Sequence, residues 1–426
     1  MAESTYFTLS IIIFVAVYAL IIWDKFDRAV VALSGAMLMV VLRVLNQEDA
    51  FASIDYNTIG LLVAMMIIVM IMRRTGIFEY LGIKMVKASK AEPFRLLILL
   101  CITTGVLSAF LDNVTTILLI LPIVLSVTGD LKLNPIPYII SAVFSSNVGG
   151  TATLIGDPPN IMIGSKTGLS FIDFLINDAV IAFPLLFFTS FVFAFIYRKS
   201  LVTVPELKKK VMNMDEKAAI KDRALLNKCL AVFTLVILGF LLHGMLHYES
   251  STIALVGAVI LLFISGIDSE LVLIEVEWKT IFFFCGLFIL VGGIKETGVI
   301  SMMAKGVIAL THGDLFLTAM AILWVSAIAS AFIDNIPFVA TMIPLILQMG
   351  QMSDINILPL WWALSLGACL GGNGTAIGAS ANVVAIGMAE REGYRITFGH
   401  YFKIAFPVML VTVAVSTLYI IVFQIR

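Results

Sequence analysis

Charge is scarce in this chain: of its 426 residues only 13% are Asp, Glu, Lys or Arg, while 61% are apolar. A soluble domain carries about 25% charged and about 45–50% apolar residues. The composition therefore excludes a soluble enzyme, a nucleic-acid binder and a disordered chain, although the net charge of −1 says nothing about partners. Cysteine is scarce too. Cys101, Cys229, Cys285 and Cys369 lie far apart in apolar runs with no CxxC or zinc spacing, so they read as small packing residues. No Walker loop occurs, which leaves this chain without an ATP drive of its own. No Lys or Arg precedes the apolar run Phe7–Trp23, and Asp24-Lys25-Phe26 follows it in place of a small-residue cleavage site. That run reads as a retained first span rather than a secretory signal.

What is abundant is apolar sequence, in runs of about 15 to 25 residues from Phe7 to the C-terminus. In lipid only helices or closed barrels satisfy the backbone, and barrel strands would give short alternating segments. The fold class expected is an all-α polytopic membrane protein.

Two stretches echo each other at an offset of 222: Ala109–Pro122 (AFLDNVTTILLILP) and Ala331–Pro344 (AFIDNIPFVATMIP). The same offset carries Tyr56-Asn57-Thr58-Ile59 onto Trp278-Lys279-Thr280-Ile281, Gly149-Gly150 onto Gly371-Gly372, Thr153 onto Thr375 and Asn160 onto Asn382. A slip of one residue then matches Ala182-Phe183-Pro184 to Ala405-Phe406-Pro407. The chain therefore reads as two copies of one unit, residues 1–197 and 229–426, joined by a charged, solvated linker at 198–228.

Each copy holds spans (Phe7–Trp23, Ala29–Leu42 and Ile59–Met72 in the first) and an amphipathic stretch, Gly76–Glu92, suited to the interface. An interrupted apolar stretch follows, at about 95–129 and 315–350. Its arms of about 16 residues are short for two crossings, so a re-entrant hairpin is expected. A broken helix (about 137–165 and 357–389) and a long span, Phe171–Tyr197, complete the first copy. Five crossings per copy make the two copies inverted. With the linker in the cytoplasm, 22 of the 27 Lys and Arg fall inside. Arg43, Lys166, Lys295, Lys305 and Arg426 fall outside, as do both termini. The acidic loop Asp268–Glu277 is the awkward member of the inside set.

Inverted repeats with broken helices place transporter sites near the midplane, where backbone unwinds. The breaks are Ser145–Asn160 (SSNVGGTATLIGDPPN) and Gly367–Val384 (GACLGGNGTAIGASANVV). Gly149, Gly150 and Gly156 permit unusual backbone angles, and Pro158-Pro159 cannot continue a helix. Freed carbonyls there suit a small cation, and helix N-termini an anion. Intramembrane carboxylates are functional candidates by default. Asp112 and Asp334 are paired by the repeat, as a joint site, as helix caps, or as both. Asp157 is matched by Ala379 and is the best lone candidate for a proton-carrying or cation-binding acid. His243 and His247, four apart, read as a wet helix end. The candidate binding set is Asp112, Asn113, Thr115, Asn147, Thr153, Asp157, Asn160, Asp334, Asn335, Asn373, Thr375 and Asn382, with Asp112, Asp157 and Asp334 as proton-coupling candidates.

The motifs DNVTTILLILP, NVGGTATLIGDPPN, DNIPFVATMIP and GACLGGNGTAIGASANVV resemble the ion transporter superfamily, within it the group of arsenite permeases, Na+/H+ antiporters and the melanosomal P protein. The resemblance implies two inverted five-span units and elevator-type movement. It also implies ion and substrate binding by Asn113, Thr115, Thr153, Asn160, Asn335, Thr375 and Asn382. Dicarboxylate carriers of the superfamily have Ser-Asn-Thr at the hairpin tips. Here the tips are Asp112-Asn113-Val114 and Asp334-Asn335-Ile336, and two acids repel a dianion unless protonated. The leading expectation is efflux of arsenite and antimonite as neutral trihydroxides, driven by protons or membrane potential. Na+/H+ antiport and P-protein-like anion transport stand as alternatives, and the membrane subunit of a pump or receptor as a reading from another class. The implied setting is the plasma membrane, with Na+ or H+ as coupling ion and no other cofactor. A homodimer and a peripheral ATPase are candidate partners.

Overall fold

The computed structural model describes residues 2–23, 25–212, 215–246 and 248–425, all of them in helices, turns and connecting segments. Asp24, Met214, His247 and Arg426, which enter the sequence readings, lie outside the described residues.

The first half runs α1 (Ala2–Trp23), α2 (Arg28–Val41), α3 (Gln47–Ala52), α4 (Tyr56–Arg74) and α5 (Ile77–Ala88). It continues through α6 (Pro93–Ser108), α7 (Asn113–Asp130), α8 (Ile136–Gly150), α9 (Pro158–Thr167), α10 (Phe171–Asn177) and α11 (Ala179–Ile196). The linker carries α12 (Pro205–Met212) and a 3-10 turn, Lys217–Ala219. The second half runs α13 (Arg223–Leu246), α14 (Ser250–Ser265), α15 (Ser269–Leu273), α16 (Trp278–Glu296) and α17 (Val299–Thr311). It closes with α18 (Leu315–Phe332), α19 (Asn335–Met352), α20 (Leu358–Gly371), α21 (Ser380–Arg391) and α22 (Phe398–Tyr419), which runs on into a π turn.

Shifted by 222, α4 and α7 end on the same residues as α16 and α19, and the remaining helices up to α9 match theirs within two residues. The packing follows the same exchange. α2 lies on α16 and α4 on α14; α7 lies on α21 and α9 on α19. Swapping the halves turns each pair into the other.

Among the described residues, eight helices are long and apolar enough to cross a bilayer, namely α1, α4, α7, α11, α13, α16, α18 and α22. Five further apolar helices are shorter, α2, α6, α14, α17 and α20: α2, with 14 residues, spans only about 21 Å. The α6–α7 and α18–α19 turns do not lie at a surface, since Asn113 and Asn335 are buried.

Two sequence expectations are corrected. The span expected at Phe171–Tyr197 is interrupted at Asp178. There the Ile181 N–H turns back to the Asp178 carbonyl, and Tyr419 Oη of α22 takes the Asn177 carbonyl at 2.6 Å. Nor do Gly149, Gly150 and Gly156 adopt left-handed backbone. Two break glycines serve close approach instead. A Cβ on Gly149 would stand 2.0 Å from the Gly105 carbonyl oxygen, and one on Gly371 2.4 Å from that of Ala327. These contacts let α8 lie on α6 and α20 on α18.

The ion pairs sort the loops into two faces. Arg74 holds Glu275 at 2.7 Å, Lys279 holds Asp27 at 3.0 Å, and Lys87 and Lys208 reach Glu216 and Glu92. At the other ends of the helices Lys166 faces Asp55, and Asn57 Nδ2 donates to Glu249. The acidic loop Asp268–Glu277 thus sits beside the basic stretch Arg73–Arg95, which shares out its charge.

Candidate substrate and ion site

Four helices begin at the centre of the molecule: α7 and α19 from the hairpin turns, α9 and α21 from the breaks. Their first N–H groups lack intrahelical partners and create a positive locale. Asp112 Oδ1 accepts from the Thr115 N–H at 2.9 Å, and Asp334 Oδ1 from the Ile336 N–H at 3.2 Å. Both are therefore helix caps. Asp157 stands at the cap position of α9 with no capping hydrogen bond. Its carboxylate instead accepts from Asn335 Nδ2, 3.3 Å from each oxygen, so the break of the first half meets the hairpin turn of the second.

Each break is pinned in the same way. Thr153 Oγ1 donates to the Ala109 carbonyl and Thr375 Oγ1 to that of Ala331. Asn160 Nδ2 donates to the carbonyls of Thr151 and Thr153 at 3.1 and 3.0 Å, and Asn382 Nδ2 to those of Gly372 and Thr375 at 2.8 Å. The freed carbonyls expected to hold a cation are in this conformation taken by these two amides. Between the halves, Asn147 Nδ2 donates to Asn373 Oδ1 and Asn382 Oδ1, each at 3.0 Å. Cys369, the repeat equivalent of Asn147, lies 3.6 Å from Asn160 Oδ1. Asn147 Oδ1, Asn373 Nδ2 and Thr115 Oγ1 are buried without a hydrogen-bond partner among the described residues. Ser108 Oγ donates to Asn113 Oδ1 at 2.8 Å.

The charges are not duplicated. Arg28 Nη1 lies 2.9 Å from Asp334 Oδ2, which also accepts from Ser380 Oγ at 2.6 Å. Asp112 has no such ion pair among the described residues; it lines a cavity of about 310 Å³ with Arg28, Pro158, Glu277, Lys279 and Ser380. A second cavity, about 320 Å³, opens at the opposite ends of α2 and α16 and is lined by Asp55, Met162, Lys166, Lys295 and Ala340. Along α9 the first cavity reaches Pro158 and the second Met162; along α19 they reach Ile336 and Ala340. Four residues are about 6 Å of helix, so about one turn separates the two. The Asp157–Asn335 contact lies one residue before that turn on both helices, at its first-cavity end.

Sequence reading did not single out Arg28, Ser365 or Asp178. Asp178 is fully buried between α10 and α11, and its Oδ2 meets Ser365 Oγ of α20. His243 lines a separate cavity near Tyr248 and Glu249.

Broken helices and hairpin turns meeting between cavities from two sides are the architecture of a membrane secondary transporter. The chain belongs to the citrate transporter family (CitMHS), whose profile it matches over residues 18–367. It is 44% identical to an uncharacterized transporter of Mycobacterium tuberculosis over 96% of this chain and 97% of that one. It is 36% identical to the P protein of Sus scrofa, covering 97% of this chain and 59% of the longer relative. The fold is similar to the crystal structure of the Alcanivorax borkumensis YdaH transporter, with a TM-score of 0.56 at 14% identity, covering 95% of this chain and 97% of that one. The chain is thus a multi-pass membrane transporter of the ion transporter type and not an enzyme.

Proposed function

We propose that this transporter moves a small solute against proton movement, with Asp157 as the group that carries the coupling proton. The observation that supports this is the uncapped, buried Asp157 carboxylate, held by Asn335 at the first-cavity end of the helical turn that separates the two cavities. A carboxylate there costs several kcal/mol when charged and alone, so protonation and solute occupancy are natural alternatives for it. The solute we favour is arsenite or antimonite as the neutral trihydroxide, in efflux across the plasma membrane. Asp27, Asp112, Asp334 and Glu277 outnumber Arg28 and Lys279 around the first cavity, which repels a free multiply charged anion. Na+/H+ antiport fits the same surplus.

A second reading rests on Arg28. Its guanidinium lines the cavity and matches a carboxylate fork, so a carboxylate solute such as citrate, the family's namesake, would compete with Asp334 for it. The candidate ligands stay those named from the sequence, from Asn113 and Thr115 to Asn373 and Asn382. The two copies are read as inverted units of five spans that work by an elevator movement. The face carrying the linker is read as cytoplasmic and both termini as outside. A homodimer is the assembly proposed.

The test is flux in liposomes holding only the purified chain, with a proton-sensitive dye, against arsenite, citrate and Na+ in turn. Arsenite flux that moves protons and ignores Na+ supports the leading reading. Proton movement on adding Na+ alone makes it an antiporter, and citrate flux lost with Arg28→Gln makes it a carboxylate carrier. Flux only with ATP and an added subunit would overturn self-sufficient transport and point to a peripheral ATPase.

A further inference from the structure

Behind the site, α9, α20 and the α10–α11 junction enclose a polar group that the transport reading above does not use. Asn160 Nδ2 donates to two backbone carbonyls, which fixes its Oδ1 as the acceptor end of the amide. Ser365 Oγ lies 2.7 Å from that Oδ1 and also in hydrogen-bond contact with Asp178 Oδ2. A serine hydroxyl has one hydrogen. If Ser365 gives it to Asn160, the contact with Asp178 needs a hydrogen from the Asp178 side. If Ser365 gives it to an ionised Asp178, two oxygen acceptors face each other across 2.7 Å with no hydrogen between them.

The surroundings favour the first arrangement. Asp178 is 0% exposed, and its Oδ1 has no hydrogen-bond partner among the described residues. It makes no ion pair among the described residues. The groups facing it are uncharged: Ser365 and Cys369 from α20, Asn160 of α9 beyond Ser365, and Tyr419 from α22. A lone ionised carboxylate in such a place costs several kcal/mol.

We infer that Asp178 is a second proton-binding carboxyl of this transporter, whose Oδ2–H donates to Ser365 while Ser365 donates to Asn160. When the proton leaves, the Ser365 hydroxyl turns from Asn160 Oδ1 to the carboxylate. Asn160 then keeps only the weak Cys369 thiol contact at 3.6 Å. Since Asn160 holds the break that ends at Asp157, the state of Asp178 is felt at the start of α9. Its role in coupling rests on the transport reading above; its protonation does not.

The experiment is infrared difference spectroscopy on the purified full chain at neutral pH, read at the C=O stretch of protonated carboxylic acids. Asp178→Asn is nearly isosteric, and its amide can donate to Ser365 as the acid does. Expected is a band in the parent protein that Asp178→Asn removes, that Asp157→Asn leaves in place and that Ser365→Ala shifts by deleting the acceptor. A band unaltered by Asp178→Asn, or one that ignores Ser365→Ala, overturns the inference. Dye-monitored liposomes separate the two readings. If the parent protein moves none of arsenite, citrate or Na+, the transport reading fails while the infrared band still decides Asp178. If it moves one of them, Asp178→Asn should preserve solute exchange at equilibrium and lower uphill movement driven by a proton gradient several-fold.

Discussion

In the first copy of the break, Thr153 ties the loop to Ala109 and Asn160 clamps two carbonyls; in the second, Thr375 and Asn382 repeat both contacts. Around those matched ties the chemistry diverges. Asp157 answers to Ala379, Ser365 to Val143, and Asp178 to His400 or, past the one-residue slip, Tyr401. Of the two hairpin carboxylates, Asp334 is bound to Arg28 while Asp112 caps its helix at the cavity wall. What a duplicated unit needs in order to fold is kept twice. What is present once is free to serve the solute and the proton.

The comparison breaks most visibly at Asp157. Asp157→Asn should bring proton-linked flux to background in liposomes while the protein still purifies as a folded species, because the amide fills the same space. Adding Ala379→Asp to that variant should not restore flux. Recovery would mean that the copies are interchangeable and that the asymmetry has no functional weight.

Next come the matched glycines. Gly149→Ala and Gly371→Ala each drive a Cβ into a backbone carbonyl, which cannot swing aside as a side chain can. Overpacking of this kind costs about 1–3 kcal/mol. Thermal unfolding in detergent should show similar losses at both sites, and a loss at one only would deny the shared scaffold. The hairpin acids should instead differ. Asp112→Ala removes a cap, worth about 1 kcal/mol. Asp334→Ala also strips Arg28 of its buried partner, and breaking such a pair costs about 3 kcal/mol, somewhat less here because Arg28 is partly exposed. Equal melting shifts for the two variants would remove the Arg28 pair from the account.

The sequence made the duplicated part legible because duplication writes itself as an offset. The helix-start turns, the breaks and the contacts of Thr153 and Thr375 lie on matched residues, while the second carbonyl of each Asn clamp is shifted by one, Thr151 in the first half and Gly372 in the second. Asp157 was legible through its missing partner, and the same criterion applied to Asp178 would have found it, since the stretch FLINDAVIAF holds an acid that the second copy lacks. It was passed over because the stretch reads as an unbroken span; the interruption comes from Tyr419 taking the Asn177 carbonyl, a contact about 240 residues away. Arg28 was counted only as a basic residue near a helix end, and nothing local reveals that it reaches Asp334 of the other half. The glycines were read as permitting unusual backbone angles, because a motif does not show which backbone lies opposite.

The smallest effect expected is at the surface, where the halves differ in charge rather than in site chemistry. Lys87 of α5 pairs with Glu216 in the linker, whereas its equivalent on α17 is Ala309. The Lys87 ammonium holds the Glu216 carboxyl below its ordinary value of 4.5. A carboxylate whose titration is depressed by folding adds stability above its unfolded value and loses it as pH falls through the folded one. The Lys87–Glu216 pair is partly exposed, so solvent and salt screen most of the effect. Glu216→Gln should therefore leave the melting temperature almost unmoved at neutral pH in physiological salt. At low salt it should lower it slightly, and that difference should fade as pH drops below 4.5 and vanish once it has passed through the depressed titration of Glu216. A large loss at neutral pH would mean that the linker is a structural tie between α5 and the second half, and the two copies would then depend on each other through their surface as well as through their central contacts.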